Sequence, residues 1–343
     1  MTIQEALKKV LDKLNLKEEE MILVMTQVME GKVEDSQLGA FLTALRMKGE
    51  TVEEITGAAR VMRDKAEKIN VSKNPIIDTC GTGGDGANTF NISTAAAFVV
   101  AGCDIAVAKH GNRAMTGNSG SADVLEELGV NINLTPDQAS KCLEDINLVF
   151  IFAQSFHPSM KYAAPLRREI GIRTIFNFLG PLTNPASVTK QIIGTPNKLI
   201  AKKIALAAKI LKTERIITLS GKSGADEIEI DNDTYIYDSD NNFEEKILQP
   251  RIPNKYSSQH LVVGSPKESA KKILECFRLN SVKNINLHLE SVLESILINS
   301  ALAISLYKPN SNIDSCYEIA KENLLSGNAM KKLEELVNFS NKI

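Results

Sequence analysis

The sequence predicts an α/β protein that begins with a separate helical segment, and three observations carry that expectation. Apolar residues recur at helical spacing through the first 69 residues. From about residue 70 onward, short apolar runs alternate with amphipathic stretches, the pattern of strands joined by helices into a largely parallel sheet. Glycine-rich loops stand directly after two of those runs, between a strand and the next helix.

Taken in order, the segments IQEALKKVLDKL, MILVMTQVMEG and LGAFLTALRMKG place apolar side chains at i, i+3 and i+4, with Gly31 and Gly49 where helix C-caps belong. Met21, Met25 and Met29 form one stripe and read as packing instead of ligands. Near Val71 to Asn74 the pattern changes: PIID reads as a strand, a glycine loop follows, and STAAAFVVAG reads as a small-residue helix. Further strands are expected at DIAVAKHG, NLVFIFAQ, QIIGT and RIITLSG, and helices at SADVLEELG and NKLIAKKIALAAKILK. Lys198, Lys202, Lys203, Lys209 and Lys212 lie on the last of these and read as a solvated face, because apolar residues fill its other turns.

The chain has 343 residues, enough for two domains with a sizeable core. Its 40 Lys+Arg and 42 Asp+Glu leave a formal charge of −2, and 43% hydrophobic with 24% charged residues is ordinary globular usage. A polybasic nucleic-acid coat and wholesale disorder are therefore excluded. Apolar runs such as Ala95 to Gly102 fall short of the ~20 residues that span a bilayer, so no membrane helix is expected. The start, MTIQEALKKVLDKLNLKEEE, reads as an amphipathic helix and not as a secretory leader, which points to the cytoplasm. Five cysteines (Cys80, Cys103, Cys142, Cys276, Cys316) include no CxxC pair and read as reduced, mostly buried thiols. Cys80 adjoins the glycine loop, yet with no base positioned to activate it, it reads as a small filler at a strand end.

Four groups of residues carry chemistry. The run from Asp78 to Thr94, DTCGTGGDGANTFNIST, leads from a strand end to a helix start; its glycines let backbone N–H groups approach a phosphate, and Asn91, Ser93 and Thr94 add donors at the positive helix end. Gly81, Gly83 and Gly86 match the dinucleotide spacing, but ANTFN separates loop from helix and Asp104 precedes the second strand, which argues against a nicotinamide site. The Lys of a Walker A loop is absent. A second cradle, KHGNRAMTGNSGSAD from Lys109 to Asp123, offers two cations, several hydroxyls and loop glycines, so the ligand should carry two separate phosphate groups. The third group is His157, Lys161, Arg167, Arg168 and Arg173, where Arg167 or Arg168 could hold a carboxylate in bidentate fashion. The fourth is Asp226-Glu227, adjacent acids suited to Mg²⁺ because hard cations prefer carboxylate oxygens.

Together these residues resemble the anthranilate phosphoribosyltransferase family. The resemblance runs from Leu38 to Arg63, through GTGGDG, NIST, KHGNRAMTGNSGSADVLEELG, HPSMKYAAPLRREIGIRTIFNFLGPLTNP and GADEI, to the tail LLSGNAMKKLEELV. It spans nearly the whole chain and is thinnest between about Asp231 and Lys283. It implies a small all-helical domain (1–69 plus about 160–188) hinged to a large α/β domain (70–159 and 189–343) with a mostly parallel central sheet of the nucleoside phosphorylase/phosphoribosyltransferase type. It also implies a homodimer through the small domain, and small-molecule substrates with no nucleic acid and no membrane. The implied reaction moves the 5-phosphoribosyl group of phosphoribosyl pyrophosphate onto the amine of anthranilate, in tryptophan biosynthesis.

The resemblance assigns roles as well. Phosphoribosyl pyrophosphate would be held by Gly81, Gly84, Asp85, Thr89, Asn91, Ser93 and Thr94, with Lys109, His110, Gly111, Asn112, Arg113, Ala114, Met115, Thr116, Gly117 and Ser121. Mg²⁺, up to two ions, would sit on Ser93, Asp226 and Glu227. Gly81, Asn112, His157, Arg167 and Gly180 would line the anthranilate channel, and Lys109, His110, Arg167, Asp226 and Glu227 would carry catalysis. A pyrimidine nucleoside phosphorylase shares the architecture, but the Asn112-Arg113 pair and the Arg167 segment favour anthranilate. The sequence departs from the family pattern at Gln154 and between Ser220 and Ala225.

Overall fold

Two of the first four helices begin where a threonine supplies a cap. A computed structural model describes residues 1–114, 117–308 and 312–342. In it α1 (Ile3–Leu11), α2 (Glu18–Met29), α3 (Asp35–Lys48) and α4 (Val52–Lys65) fill the first 65 residues. Thr2 and Thr51 form capping boxes with Glu5 and Glu54, and Gly49 closes α3 at φ +88°. Glu54 does more than cap: fully buried, it accepts from the Leu16 N–H at 2.9 Å and pairs with Lys48 Nζ at 2.9 Å, tying the α1–α2 turn to the start of α4. Met21, Met25 and Met29 are core residues, as their stripe predicts.

The chain continues through β1 (Ile76–Asp78), α5 (Ile92–Gly102), β2 (Ala106–Gly111), α6 (Ser121–Glu127), α7 (Pro136–Ile146), β3 (Leu148–Phe152), α8 (Ala153–Phe156), α9 (Ala164–Ile170), α10 (Phe176–Leu182), β4 (Lys190–Gly194), α11 (Lys198–Ile210), β5 (Arg215–Gly221), β6 (Thr234–Asp238), β7 (Glu245–Leu248), α12 (Pro266–Phe277), α13 (Leu287–Tyr307), α14 (Ile313–Leu325) and α15 (Asn328–Lys342). The strands form one sheet in the order β3-β2-β1-β4-β5-β6-β7. The first five run parallel, and β6 and β7 add antiparallel pairs at one edge. All five expected strands are present, whereas β6 and β7 are additions the sequence reading did not anticipate. Their segments, TYIYD and EKIL, are too short and too polar to stand out beside the Asp- and Asn-rich turns around them.

Strand order reverses between β1 and β4, so the crevice at the carboxyl ends of these strands is where a doubly wound sheet presents a ligand site. One apolar cluster covers the sheet with α5, α13 and α14, and contains Ile77, Phe98 and Ile296. A second cluster contains Met21 and Phe41 of the first helices, Leu166 and Leu179 of α9 and α10, and Ile204 and Ile216 of α11 and β5. The expectation that no helix could cross a membrane needs correction: α13 is long and apolar enough by length and composition. Its residues from Ser291 to Leu306 are buried, packed against α5 and α14, so it is a core helix. Glu290 and Glu294 interrupt its apolar run, which is why the helix does not stand out in the sequence.

Candidate active site

The glycine loop leaves β1 at Asp78. That carboxylate, without exposed surface, accepts from the His110 N–H at 3.3 Å and from Asn184 Nδ2 at 2.8 Å, fixing the end of β1 to β2. Burial, partly offset by Lys109, pushes it up to about 6. Gly83, Gly84 and Gly86 then take φ of +67°, +72° and +75°, a region that glycine enters without a Cβ penalty. The Thr82 N–H donates to Gly194 O at 2.9 Å and the Gly83 N–H to Asp226 Oδ2 at 2.7 Å. A Cβ on Gly81 would lie 2.6 Å from that same oxygen, and one on Gly194 only 1.6 Å from the Asp226 carbonyl. The glycines thus admit the acidic turn as well as any ligand.

Glu227 reaches the start of α5, where its Oε1 accepts from the Ser93 N–H at 3.0 Å. Lys109, buried, donates to Ser93 Oγ at 3.2 Å and to Thr79 O at 3.1 Å. Thr79, Gly81, Ser93, Asp226, Glu227 and Asn299 line a pocket here. Burial raises the pKa of both acids; Asp85 adds to the rise at Asp226, and Asp226 to that at Glu227. Two crowded carboxylates beside one hydroxyl are the hard oxygen donors a divalent cation needs, and its charge would relieve their repulsion. Among the described residues no third His, Cys, Asp or Glu completes a protein-only cage, so ligand and water oxygens would fill the remaining positions. The divergent segment before the acids forms its own turn, with the Gly221 N–H on Ala225 O at 2.8 Å and the Ser223 N–H on Glu229 Oε1 at 2.8 Å.

Across the crevice His110 Nδ1 lies 3.0 Å from Gly180 O, and since a carbonyl only accepts, the ring proton belongs on Nδ1. Among the described residues its buried Nε2 has no hydrogen-bond partner, nor has Nε2 of His157, whose ring centroid is 5.1 Å away. Burial lowers the two imidazoles to about 3 and about 4, and each also feels a nearby positive charge or ring. Arg167 stacks over Phe176 at 5.2 Å and forms no ion pair among the described residues; burial lowers it to about 10. Open space surrounds Gly180 on its Cβ side.

Asn91 joins the two cradles: its Oδ1 accepts from Ser119 Oγ at 2.6 Å and from Ser269 Oγ at 2.8 Å. Asn112 O accepts from Ser121 Oγ at 3.2 Å, and its Oδ1 from Gln154 Nε2 at 3.2 Å. Gly111 and Gly120 are required by close packing, with a Cβ on either falling 2.2 Å from a neighbouring atom, while Gly117 has room. The Ala114 N–H is taken by Asp123 Oδ2 at 2.9 Å. Three of the expected ligand residues have surroundings of their own in the fold. Arg113 turns outward to Asp123 at 3.1 Å and Glu126, because α6 presents both acids to it. Thr94 Oγ1 is buried with no partner, lining the interior behind Lys109. Thr89 forms a bridge to Val262. Met115 and Thr116 lie outside the described residues. Cys80 is a filler as expected, its thiol pushed up by burial and the surrounding acids, and among the described residues none of the five cysteines is in a disulfide.

Residues 4–66 match the glycosyl transferase family, helical bundle domain, and residues 73–330 the glycosyl transferase family, a/b domain. A relative from Alkaliphilus metalliredigens, named anthranilate phosphoribosyltransferase, is 45% identical over 345 residues, covering 99% of both chains. This chain belongs to the anthranilate phosphoribosyltransferase family. A second relative of that name, from Acetivibrio thermocellus, is 45% identical over 344 residues, covering 99% of this chain and 97% of its own. Among solved structures, anthranilate phosphoribosyltransferase from Thermus thermophilus is 34% identical with a TM-score of 0.87, covering 98% of this chain and 99% of that one. The Saccharomyces cerevisiae enzyme in complex with PRPP and Mg is 28% identical with a TM-score of 0.89, covering 99% and 98%.

Within the anthranilate phosphoribosyltransferase family fold, several residues around the site carry no role in the sequence reading: Asp78, Asn184, Gln191, Gly194, Ser269 and Asn299. Gly194 had one available signal, since it ends an expected strand beside the one that leads to Gly81. The others are paired only by the folded chain: Asn299, for instance, holds the Ile228 N–H at 3.0 Å from 71 positions away.

Proposed function

We propose that this chain transfers the 5-phosphoribosyl group from phosphoribosyl pyrophosphate to the amine of anthranilate, releasing pyrophosphate and forming N-(5-phosphoribosyl)anthranilate, a step of tryptophan biosynthesis. One observation carries the reading: two acids meet the glycine loop and the α5 start on one side of the crevice, while Arg167, a guanidinium with no ion pair among the described residues, stands on the other. Asp226, Glu227 and Ser93 would hold Mg²⁺, up to two ions, and the bound ion would neutralise charge on the leaving pyrophosphate. Loop N–H groups, the α5 N-terminus and Lys109 stabilise the same charge as the C1–oxygen bond breaks. Arg167 takes the anthranilate carboxylate, and the uncharged His110 and His157 keep a second cation away from an electron-poor ribosyl centre. The acceptor amine is already neutral near pH 7, so its alignment matters more than a strong base.

We assign the donor to Gly81, Gly84, Asp85, Thr89, Asn91, Ser93 and Thr94 with Lys109, His110, Gly111, Asn112, Arg113, Ala114, Met115, Thr116, Gly117 and Ser121, and the acceptor channel to Gly81, Asn112, His157, Arg167 and Gly180. The two units are residues 1–69 with about 160–188, and 70–159 with 189–343; α9 and α10 pack in one apolar cluster with the first helices, and α11 and β5 of the second unit join the same cluster. Two copies pair through the small unit, where Leu11, Leu14, Leu23 and Met47 are exposed by 64%, 54%, 50% and 84%. Light scattering checks this: Leu23→Glu with Met47→Glu should halve the mass, and an unchanged mass would refute this interface. We place the protein in the cytoplasm.

The transfer is read by loss of anthranilate fluorescence on mixing with phosphoribosyl pyrophosphate and Mg²⁺. Loss should require all three components and collapse in Asp226→Asn/Glu227→Gln. Full activity in that variant would remove the acids from the mechanism.

A further inference from the structure

Arg173 is not used by the mechanism above. It lies between Gly171, which ends α9 at φ +65°, and Thr174, whose N–H donates to Asn177 Oδ1 at 3.0 Å at the start of α10. Its guanidinium crosses the crevice to the glycine loop. There it donates to Gly83 O at 2.6 Å and to Gly84 O at 3.1 Å, two consecutive peptide carbonyls. It forms no ion pair among the described residues, although Asp226 and Asp85 lie close enough to stabilise its charge. Its Nε is buried with no hydrogen-bond partner among the described residues. Gly84 complements it, since a Cβ there would sit 3.1 Å from a guanidinium nitrogen on a backbone already at φ +72°.

A trans peptide points its C=O and N–H in opposite directions. Holding the carbonyls of Gly83 and Gly84 therefore turns the N–H groups of Gly84 and Asp85 away from Arg173. Among the described residues neither of these N–H groups has a partner. Two adjacent, unpaired peptide donors on a loop of left-handed glycines form a seat for an anion. We propose that Arg173 is a positioning residue for the phosphate-bearing substrate: by gripping the Gly83 and Gly84 carbonyls it aims the Gly84 and Asp85 N–H groups at the pyrophosphate. Because Arg173 rides on the segment that carries Arg167, it also joins the acceptor side of the crevice to the donor side. This inference rests on the transfer reaction proposed above.

The test uses the full-length protein and two probes, kinetics with both substrates and calorimetric binding of inorganic pyrophosphate with Mg²⁺. Arg173→Ala should raise the phosphoribosyl pyrophosphate KM and weaken pyrophosphate about tenfold, as loss of a charged hydrogen-bonding group does, while the anthranilate KM moves less than about twofold. Arg173→Lys should recover part of the loss, because it keeps the charge and one donor but not the fork. Gly84→Ala, which presses on the same guanidinium, should reproduce the phenotype and keeps the test alive where Arg173→Ala fails to fold. Unchanged pyrophosphate affinity in folded variants, or equal rises in both KM values, would overturn the role of Arg173 while leaving the transferase reading intact. A wild-type protein that consumes no anthranilate would instead sink that reading.

Discussion

At Arg167 a guanidinium with no carboxylate partner among the described residues stacks on Phe176, so an incoming anion gains a charge-assisted pair without displacing a protein group. Arg167→Ala should therefore raise the anthranilate KM by roughly tenfold to a hundredfold, the effect of about 1.5–3 kcal/mol, with little change for phosphoribosyl pyrophosphate. Equal effects on both substrates would make this arginine structural. His110 and His157 give a pH prediction. Folding lowers them from 6.5 to about 3 and about 4, so the unfolded chain binds more protons as pH falls through 6.5. Their contribution to stability is complete above that value and lost progressively below it. Asp78, Asp226 and Glu227 act in the opposite sense, since burial raises all three, so the net slope of stability with pH is set by both groups and the imidazoles are read by difference. Relative to the parent, the melting temperature of His157→Gln should shift in favour of the folded state as pH goes from about 7.5 to 5, because the variant no longer loses this ring's contribution; parallel curves would show that this ring is not responsible. The acids, the lysine and the arginines were legible in the sequence because chemistry limits the residue types. The pairing of Arg113 with Asp123 and Glu126 was not, because these acids lie 10 and 13 positions away and only α6 brings them to it.

The glycine loop and the acidic turn behave as one element. Gly194 supports the turn from below, and a methyl group there would meet the Asp226 carbonyl at 1.6 Å, a backbone contact that cannot rotate away. Gly194→Ala should keep the far-ultraviolet circular dichroism of the parent yet lose Mg²⁺-dependent transfer by more than about a hundredfold, the scale expected when a positioned group is displaced by an ångström. Near-normal activity would mean that the turn tolerates movement. The five parallel strands were readable because strands buried on both faces are continuous apolar runs. The edge strands β6 and β7 and the core helix α13 were not, the former for brevity and the latter because two glutamates break its run. Glu294, one of them, is held by Tyr317 Oη at 2.6 Å, a partner no local pattern announces.

At the scale of the molecule, the second apolar cluster runs from Met21 through Ala58 to Ile204 and Ile216, so the first helices and one face of the sheet share a single core. Arg63 reinforces the junction by donating to Leu182 O at 2.6 Å and Leu211 O at 3.3 Å, and Lys203 by donating to Glu50 O at 2.7 Å. Calorimetry should therefore record one unfolding transition for the chain, with matching calorimetric and van't Hoff enthalpies. Two resolved transitions would mean that the helical unit melts alone. The alternation of patterns at residue 70 suggested a clean boundary, because periodicity records where an element's apolar stripe lies and not what covers it.

That shared core also limits how the chain can recombine with its relatives. A crossover near residue 70 looks harmless on the linear sequence, yet it would seat α4 from one parent against α11 from another, pairing side chains never fitted to each other. Hybrids that inherit both helices from the same parent should melt near the parental temperature, and those that divide them well below it. In breeding new variants, the unit of inheritance is the α4–α11 face, although some 130 residues separate its two halves.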